Sequence, residues 1–199
     1  MADHAKRRYR RAEDTRAVVL EVVAKLFYEN GIRAVGIDRV AAEAGVTTTT
    51  LYRLFGSKDG LAVAYLEQAD RLWFEWFERS AGSGAGGGAG QQAALEVLFD
   101  QLEEQANRAD YRGCPFRMAL AEYPNADSPI HQAASSNKRR TRQRFFDLAE
   151  EVGLPDPDVA ADQLMVLVDG VCASATERSP DSPRGVTLRL VQQVLAARS

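Results

Sequence analysis

A chain of 199 residues with 25 Lys+Arg against 28 Asp+Glu carries a formal charge of −3 at neutral pH. With 45% hydrophobic and 27% charged residues it reads as a globular protein of one or two domains, not as a disordered one. No stretch approaches the roughly 18 apolar residues of a membrane span, the polar start of the chain does not read as a secretory signal, and Cys114 and Cys172 are too few for a disulfide framework.

In chain order the pattern is helical nearly throughout, because runs that alternate in Val, Ile and Thr are missing. From about residue 14 to Asn30, the residues Val19, Val22, Val23, Leu26 and Phe27 recur at the spacing of one helix face. Asn30-Gly31 supplies a left-handed stop, with Ile32 placed to pack back on the last turn. A short second helix carries Ile37, Val40, Ala41 and Ala44 on one face and ends at Gly45. Thr47 can cap a third helix over 48–55, with Leu51, Leu54 and Phe55 inward. Ser57 can cap a fourth that starts at Lys58. That helix is long, and Leu61, Tyr65, Ala69, Leu72, Trp73, Trp76 and Phe77 form an aromatic-rich stripe.

Residues 81–90 (AGSGAGGGAG) are of low complexity and read as a flexible Gly-rich loop. Helical patterns resume near 92–108, 115–122, 128–152, 158–177 and 183–197. The basic run at 138–144 reads as the solvated face of a helix, its stems lying on apolar surface. Asp169 interrupts the apolar run 164–171 and is expected to face inward. A pairing in a dimer interface, a hydrogen bond in the core and contact with a ligand all remain open for it. The two cysteines read as buried small hydrophobes, and His131 as a surface or capping residue. Two histidines do not suggest a Cys/His zinc site, and no metal or cofactor is expected.

The charge becomes informative when it is split. Residues 1–60 hold 11 Lys+Arg and 8 Asp+Glu, while residues 61–199 hold 14 and 20. A basic head on an acidic body points to an acidic partner for one end only. Within that head, two short helices separated by Gly45-Val46-Thr47 make a helix-turn-helix. Ala41 lets the helices approach closely, Gly45 permits the left-handed turn residue, and Val46 plugs the angle. Thr47, Thr48, Thr49, Tyr52 and Arg53 are then expected at or near DNA, with Thr hydroxyls and methyls toward base edges. Tyr52 and Lys58 are placed to clamp phosphates. The run Lys6-Arg7-Arg8-Tyr9-Arg10-Arg11 is expected to be an arm ahead of the first helix, with Arg10 and Arg11 adding DNA contacts.

Residues 14–61 resemble the DNA-binding domain of TetR-family transcriptional regulators. The likeness rests on Val40-Ala41-Ala42-Glu43-Ala44-Gly45-Val46-Thr47 followed by Leu51-Tyr52-Arg53-Leu54-Phe55-Gly56-Ser57-Lys58-Asp59-Gly60-Leu61. Gly113-Cys114-Pro115-Phe116 with Ala121-Glu122-Tyr123-Pro124 resembles the regulatory part of one subset of that family. Gly36, Thr49 and Leu54 depart from the family's usual Ser/Thr, Gly and polar residue. The resemblance implies an all-α homodimer with two domains. One is a three-helix DNA-binding domain at 1–60. The other is a helical effector-binding and dimerisation domain at 61–199.

On this reading the protein is a transcriptional repressor, not an enzyme, with no catalytic residues. It is cytoplasmic, has no membrane partner, and is released from a palindromic DNA operator by an unknown small-molecule effector. The expected effector-pocket residues are Trp73, Phe77, Phe99, Phe116, Met118 and Asp169. The expected dimer contact pairs 158–177 with 183–197 through Leu164, Leu167, Val168 and Val171 and through Val186, Leu190 and Val194. Two other readings compete. One is a DNA-binding protein that ignores ligands. The other is a helical enzyme carrying a DNA-binding head, for which no nucleophile–base set and no strand-flanked Gly-rich phosphate loop is present.

Overall fold

The computed structural model describes residues 2–81, 88–174 and 185–196, and the side chains among them except those of 2–11, 88 and 89. Its helices are α1 (Ala2–Asn30), α2 (Ile37–Glu43), α3 (Thr48–Phe55), α4 (Lys58–Ala81), α5 (Gly88–Ala106), α6 (Pro115–Glu122), α7 (Pro129–Val152), α8 (Pro157–Ser174) and α9 (Val186–Leu195). The described residues contain no strand, as an all-α sequence pattern requires. No described helix is long and apolar enough to cross a membrane. Of the Gly-rich stretch expected as a loop, residues 82–87 lie outside the described residues and α5 begins at Gly88.

The first difference from expectation is the start of α1. The helix begins at Ala2, so the backbone of the basic run is helical and does not precede the helix. The physical reason is plain: residues 2–30 contain neither Gly nor Pro and are rich in Ala, Arg, Lys and Glu, all strong helix formers. The side chains of Arg10 and Arg11 lie outside the described residues. Along α1 the buried face is Val19, Leu20, Val23, Leu26 and Phe27, with Leu20 inward and Val22 only half-buried.

The chain divides into two compact units. One is formed by residues 1–70 with 115–135, and the other by 71–114 with 136–199. In the first unit, α1 packs on α2 and α2 on α3. Its core is the α1 face together with Ile32, Val35, Val40, Ala41, Leu51, Leu61 and Leu66. Phe27 meets Tyr65 edge to face, with ring centroids 5.6 Å apart. Each large side chain removed from water here contributes about 1.5–3 kcal/mol.

In the second unit α5, α8 and α9 pack on one another. Phe77, Phe99 and Phe145 form an aromatic centre, Phe77–Phe145 at 5.3 Å and Phe99–Phe145 at 5.9 Å between centroids. Leu95, Leu98, Leu102, Leu164, Val168, Val171 and Val191 close around it. The stripe expected along α4 is therefore only partly inward: Phe77 is fully buried, but Leu72 is 58% exposed.

The basic run 138–144 keeps Arg139 and Arg140 exposed, but most of its charges are paired. Lys138 pairs with Asp169, Arg142 with Asp158 and Asp162, and Arg144 with Glu78, while the Arg140 guanidinium lies 4.2 Å from the Phe74 ring centroid. Residues spaced two apart on a helix leave it in different directions, so this one run meets both α4 and α8. The Asp158 and Asp162 contacts hold the Arg142 guanidinium above its ordinary range, with the Asp162 hydrogen bond the larger cause.

Candidate DNA-binding surface

The α2–turn–α3 segment is built by local rules. Gly36 takes the N-cap of α2 in an extended conformation without a side-chain bond, as a residue lacking a hydroxyl must. Gly45 adopts φ +64, and Val46 N–H donates to Ala41 O at 3.0 Å, which closes α2. Thr47 Oγ1 then accepts the Thr50 N–H at 3.2 Å and lies 3.0 Å from Thr50 Oγ1. That hydroxyl caps α3 from within the protein, which leaves the methyl as the freer part of the Thr47 side chain.

Leu51 is the anchor of α3 and is fully buried. At roughly 100° per residue, Thr49 and Arg53 fall opposite it and Thr48 falls beside it. Thr49, Tyr52 and Arg53 are exposed accordingly, whereas Thr48 is half-buried. The outward face is thus Thr49–Tyr52–Arg53, with Thr47 exposed at its start. Leu54 and Phe55 are half-buried, because Arg16 of α1 covers them. Its Nη1 donates to Leu54 O at 3.1 Å, and its guanidinium stands 4.5 Å from the Phe55 ring centroid. Arg16 fixes the C-terminal end of α3, and nothing in the local sequence announces a contact that spans 38 residues.

Gly56 turns the chain at φ +78, and Ser57 Oγ accepts the Gly60 N–H at 2.9 Å, which caps α4 as its position predicts. A side chain at Gly60 would run into the Phe55 carbonyl. Lys58 is half-buried, and its Nζ donates to Arg33 O at 3.0 Å. The loop bearing Arg33 is held in turn by Glu122, whose carboxylate oxygens accept the Ile32 and Arg33 N–H groups at 3.0 and 2.7 Å. Arg33 stacks over Tyr123 at 4.8 Å, and His131 Nδ1 donates to the Tyr123 carbonyl at 2.8 Å, so His131 acts as a cap. Burial pushes the Tyr123 phenol up, and Asp59 and Glu122 add to the shift.

The residues expected to line an effector pocket fall in two groups. Phe116 (buried) and Met118 (half-buried) belong to the first unit. In the second unit Phe77 and Phe99 are buried in the aromatic core, and Trp73 donates from Nε1 to Thr141 Oγ1 at 3.2 Å. Asp169 accepts from Lys138 Nζ at 2.7 Å, with both side chains largely buried. Cys172 is buried beside Cys114. The hydrogen bond between them and the burial both push the Cys172 thiol up. No group of three or more His, Cys, Asp or Glu among the described residues is disposed to hold a metal.

The outer side of α8 and α9 carries an open groove of about 500 Å³, lined by Val159, Val166, Leu167, Leu190 and Val194 among others. Val166 is 70% exposed. Of the stripe expected to face a second copy, Leu164, Val168 and Val171 point instead into the unit's own core. The groove uses the other side of α8, because α5 and α9 already cover the first.

Residues 19–65 match the family model of bacterial regulatory proteins of the tetR family. The chain is 34% identical to SCO4454, a TetR-family transcriptional regulator from Streptomyces coelicolor, covering 92% of this chain and 95% of that one with a TM-score of 0.83. It is 26% identical to the putative TetR transcriptional regulator sav143 of Streptomyces avermitilis, covering 91% and 96% with a TM-score of 0.79. It is 24% identical over 180 residues to the HTH-type transcriptional regulator YjdC of Escherichia coli, covering 89% of this chain and 91% of that protein.

Proposed function

Because the chain belongs to the TetR family of DNA-binding transcriptional regulators, we propose that it is a homodimeric repressor, released from a near-palindromic operator by a small-molecule effector, in the cytoplasm. Residues 1–60 are the DNA-binding domain, and residues 61–199 bind the effector and form the dimer. Base edges meet Thr47, Thr48, Thr49 and Arg53, of which Thr49 and Arg53 stand opposite the Leu51 anchor. Tyr52 and Lys58 contact phosphates, and Arg10 and Arg11 add charge at the start of α1. Two reading helices meet successive major grooves roughly 34–36 Å apart.

For the dimer, the observation that carries this reading is the apolar groove of α8 and α9 that no other described residue covers, with Val166 70% exposed and Val159 50% exposed. Contiguous apolar surface of this kind marks an interaction site, and an apolar face spread over two helices suits a four-helix bundle with a second copy. The effector acts by population shift: it binds better to the conformation that binds DNA less well. Sedimentation of the purified chain, followed by DNA binding with and without a panel of small molecules, tests both parts. A monomer at micromolar concentration overturns the dimer. A DNA complex that no compound dissolves overturns the release step.

A further inference from the structure

Glu122 is the last residue of α6, yet its carboxylate ends in the turn that follows α1. Gly31 adopts φ +86 there, so the next two amides, of Ile32 and Arg33, are free of helical carbonyls and converge on one point. Consecutive amides of this kind make an anion-binding concavity. Each carboxylate oxygen accepts one of them, at 3.0 and 2.7 Å. The seat is cut to fit, since a Cβ on Gly31 would stand 3.0 Å from Glu122 Oε1. Gly31 is therefore demanded twice, by its backbone conformation and by the approach of the carboxylate.

Arg33 also meets a cation, through its next peptide group. Arg33 receives Glu122 at its N–H and offers its carbonyl to Lys58 Nζ at 3.0 Å. Tyr123, next to Glu122, holds the Arg33 side chain under a cation–π contact. A lysine is a point charge on a four-carbon stem with three donors. Left alone it samples many rotamers. Tied by one donor to a fixed carbonyl, it keeps two donors aimed from one place, and the ordering cost of binding a phosphate falls.

We propose that Glu122 is a positioning residue for DNA binding, holding the Arg33 carbonyl that sets the Lys58 ammonium for a phosphate. The inference rests on the phosphate contact proposed for Lys58. Its test uses the full chain and a duplex that the wild type selects from a random-sequence pool. Affinity is measured by fluorescence anisotropy across a series of salt concentrations for Lys58→Ala, Glu122→Gln and the double variant, with thermal melts run in parallel. Lys58→Ala lowers the slope of log affinity against log salt by about one unit per protomer. Glu122→Gln lowers it by part of that and weakens binding roughly three- to tenfold. The double variant binds as Lys58→Ala does.

Additive losses, or a Glu122→Gln slope equal to that of the wild type, overturn the positioning role while the Lys58 contact stands. An unchanged slope in Lys58→Ala overturns the contact itself, and the inference with it. Should Glu122→Gln melt too low to assay, Glu122→Asp, which keeps the charge but shortens its reach to the two amides, is read in the same cycle with the same outcomes.

Discussion

Lys138 Nζ and the Asp169 carboxylate stand 2.7 Å apart inside the second unit, with side-chain exposures of 14% and 22%. An ion pair this sheltered gains little over an apolar pair but is costly to break on one side. Asp169→Asn leaves an ammonium without its carboxylate and lowers stability by about 2–4 kcal/mol, the residual solvent contact keeping it under the fully buried limit. Lys138→Met with Asp169→Leu together recovers most of that loss. Chemical denaturation of the two singles and the double is the check. Equal, additive losses would show that the pair is not coupled.

The Cys172 thiol is held protonated, first by its hydrogen bond to Cys114 and then by burial. In the unfolded chain it ionises near the ordinary value of about 8.5. Above that pH the unfolded state binds fewer protons than the native state, so stability falls, by up to about 1.4 kcal/mol per pH unit from this group. Below it the group has no effect on the slope. Urea midpoints followed from neutral to alkaline pH should therefore drop more steeply in the wild type than in Cys172→Ala. Parallel curves would remove the thiol as the cause.

At Gly60 there is no room for a side chain, because the Phe55 carbonyl occupies the place of a Cβ. Gly60→Ala forces the end of α3 away from the start of α4 and is expected to destabilise by about 1–3 kcal/mol. Gly170→Ala, inside α8 where a Cβ meets nothing within 4 Å, serves as the control in the same thermal melts. A Gly60→Ala melt that matches the control would show that the turn yields freely.

Thr47 and Thr49 should fail differently. Thr47→Val removes the oxygen that caps α3 and lowers stability by about 1 kcal/mol. Thr49→Ala leaves stability alone and changes base preference at one position by about 1–3 kcal/mol. Binding to a set of singly substituted operators separates the two. A uniform loss for Thr49→Ala would assign it to the backbone of the DNA.

Val166→Asp places a charge on the uncovered side of α8. A dimer built on this groove should dissociate by at least tenfold, since an unpaired buried charge opposes association, and sedimentation reads the change directly. Unaltered dimers would move the interface elsewhere.

Local rules were legible in the sequence. The Gly45 turn, the Thr47 and Ser57 caps and the inward Leu51 follow from residues a few positions apart. Contacts over long separations were not. Glu122 reaches Arg33 across 89 positions, and Arg16 reaches Leu54 across 38. A carboxylate at the end of α6 looks the same in sequence whether it meets water or two amides. The α8 stripe failed for a related reason. A helix apolar on two sides gives no sign of which side its own chain will cover, and α5 and α9 took Leu164 and Val168. Thr48 reads in sequence as outward like Thr49, although at three residues from the inward Leu51 it falls only about 60° away on the helix and is half-buried.

The clasped basic run of α7 has a practical consequence. Lys138, Arg142 and Arg144 each face a carboxylate of the same unit, so their charges are paired off at short range and project little field. A column sees the whole chain, which is acidic by composition, with net charge −3 and an isoelectric point near 5.5 from its sequence. It should stay on an anion exchanger at neutral pH and pass through a cation exchanger, despite its basic tracts.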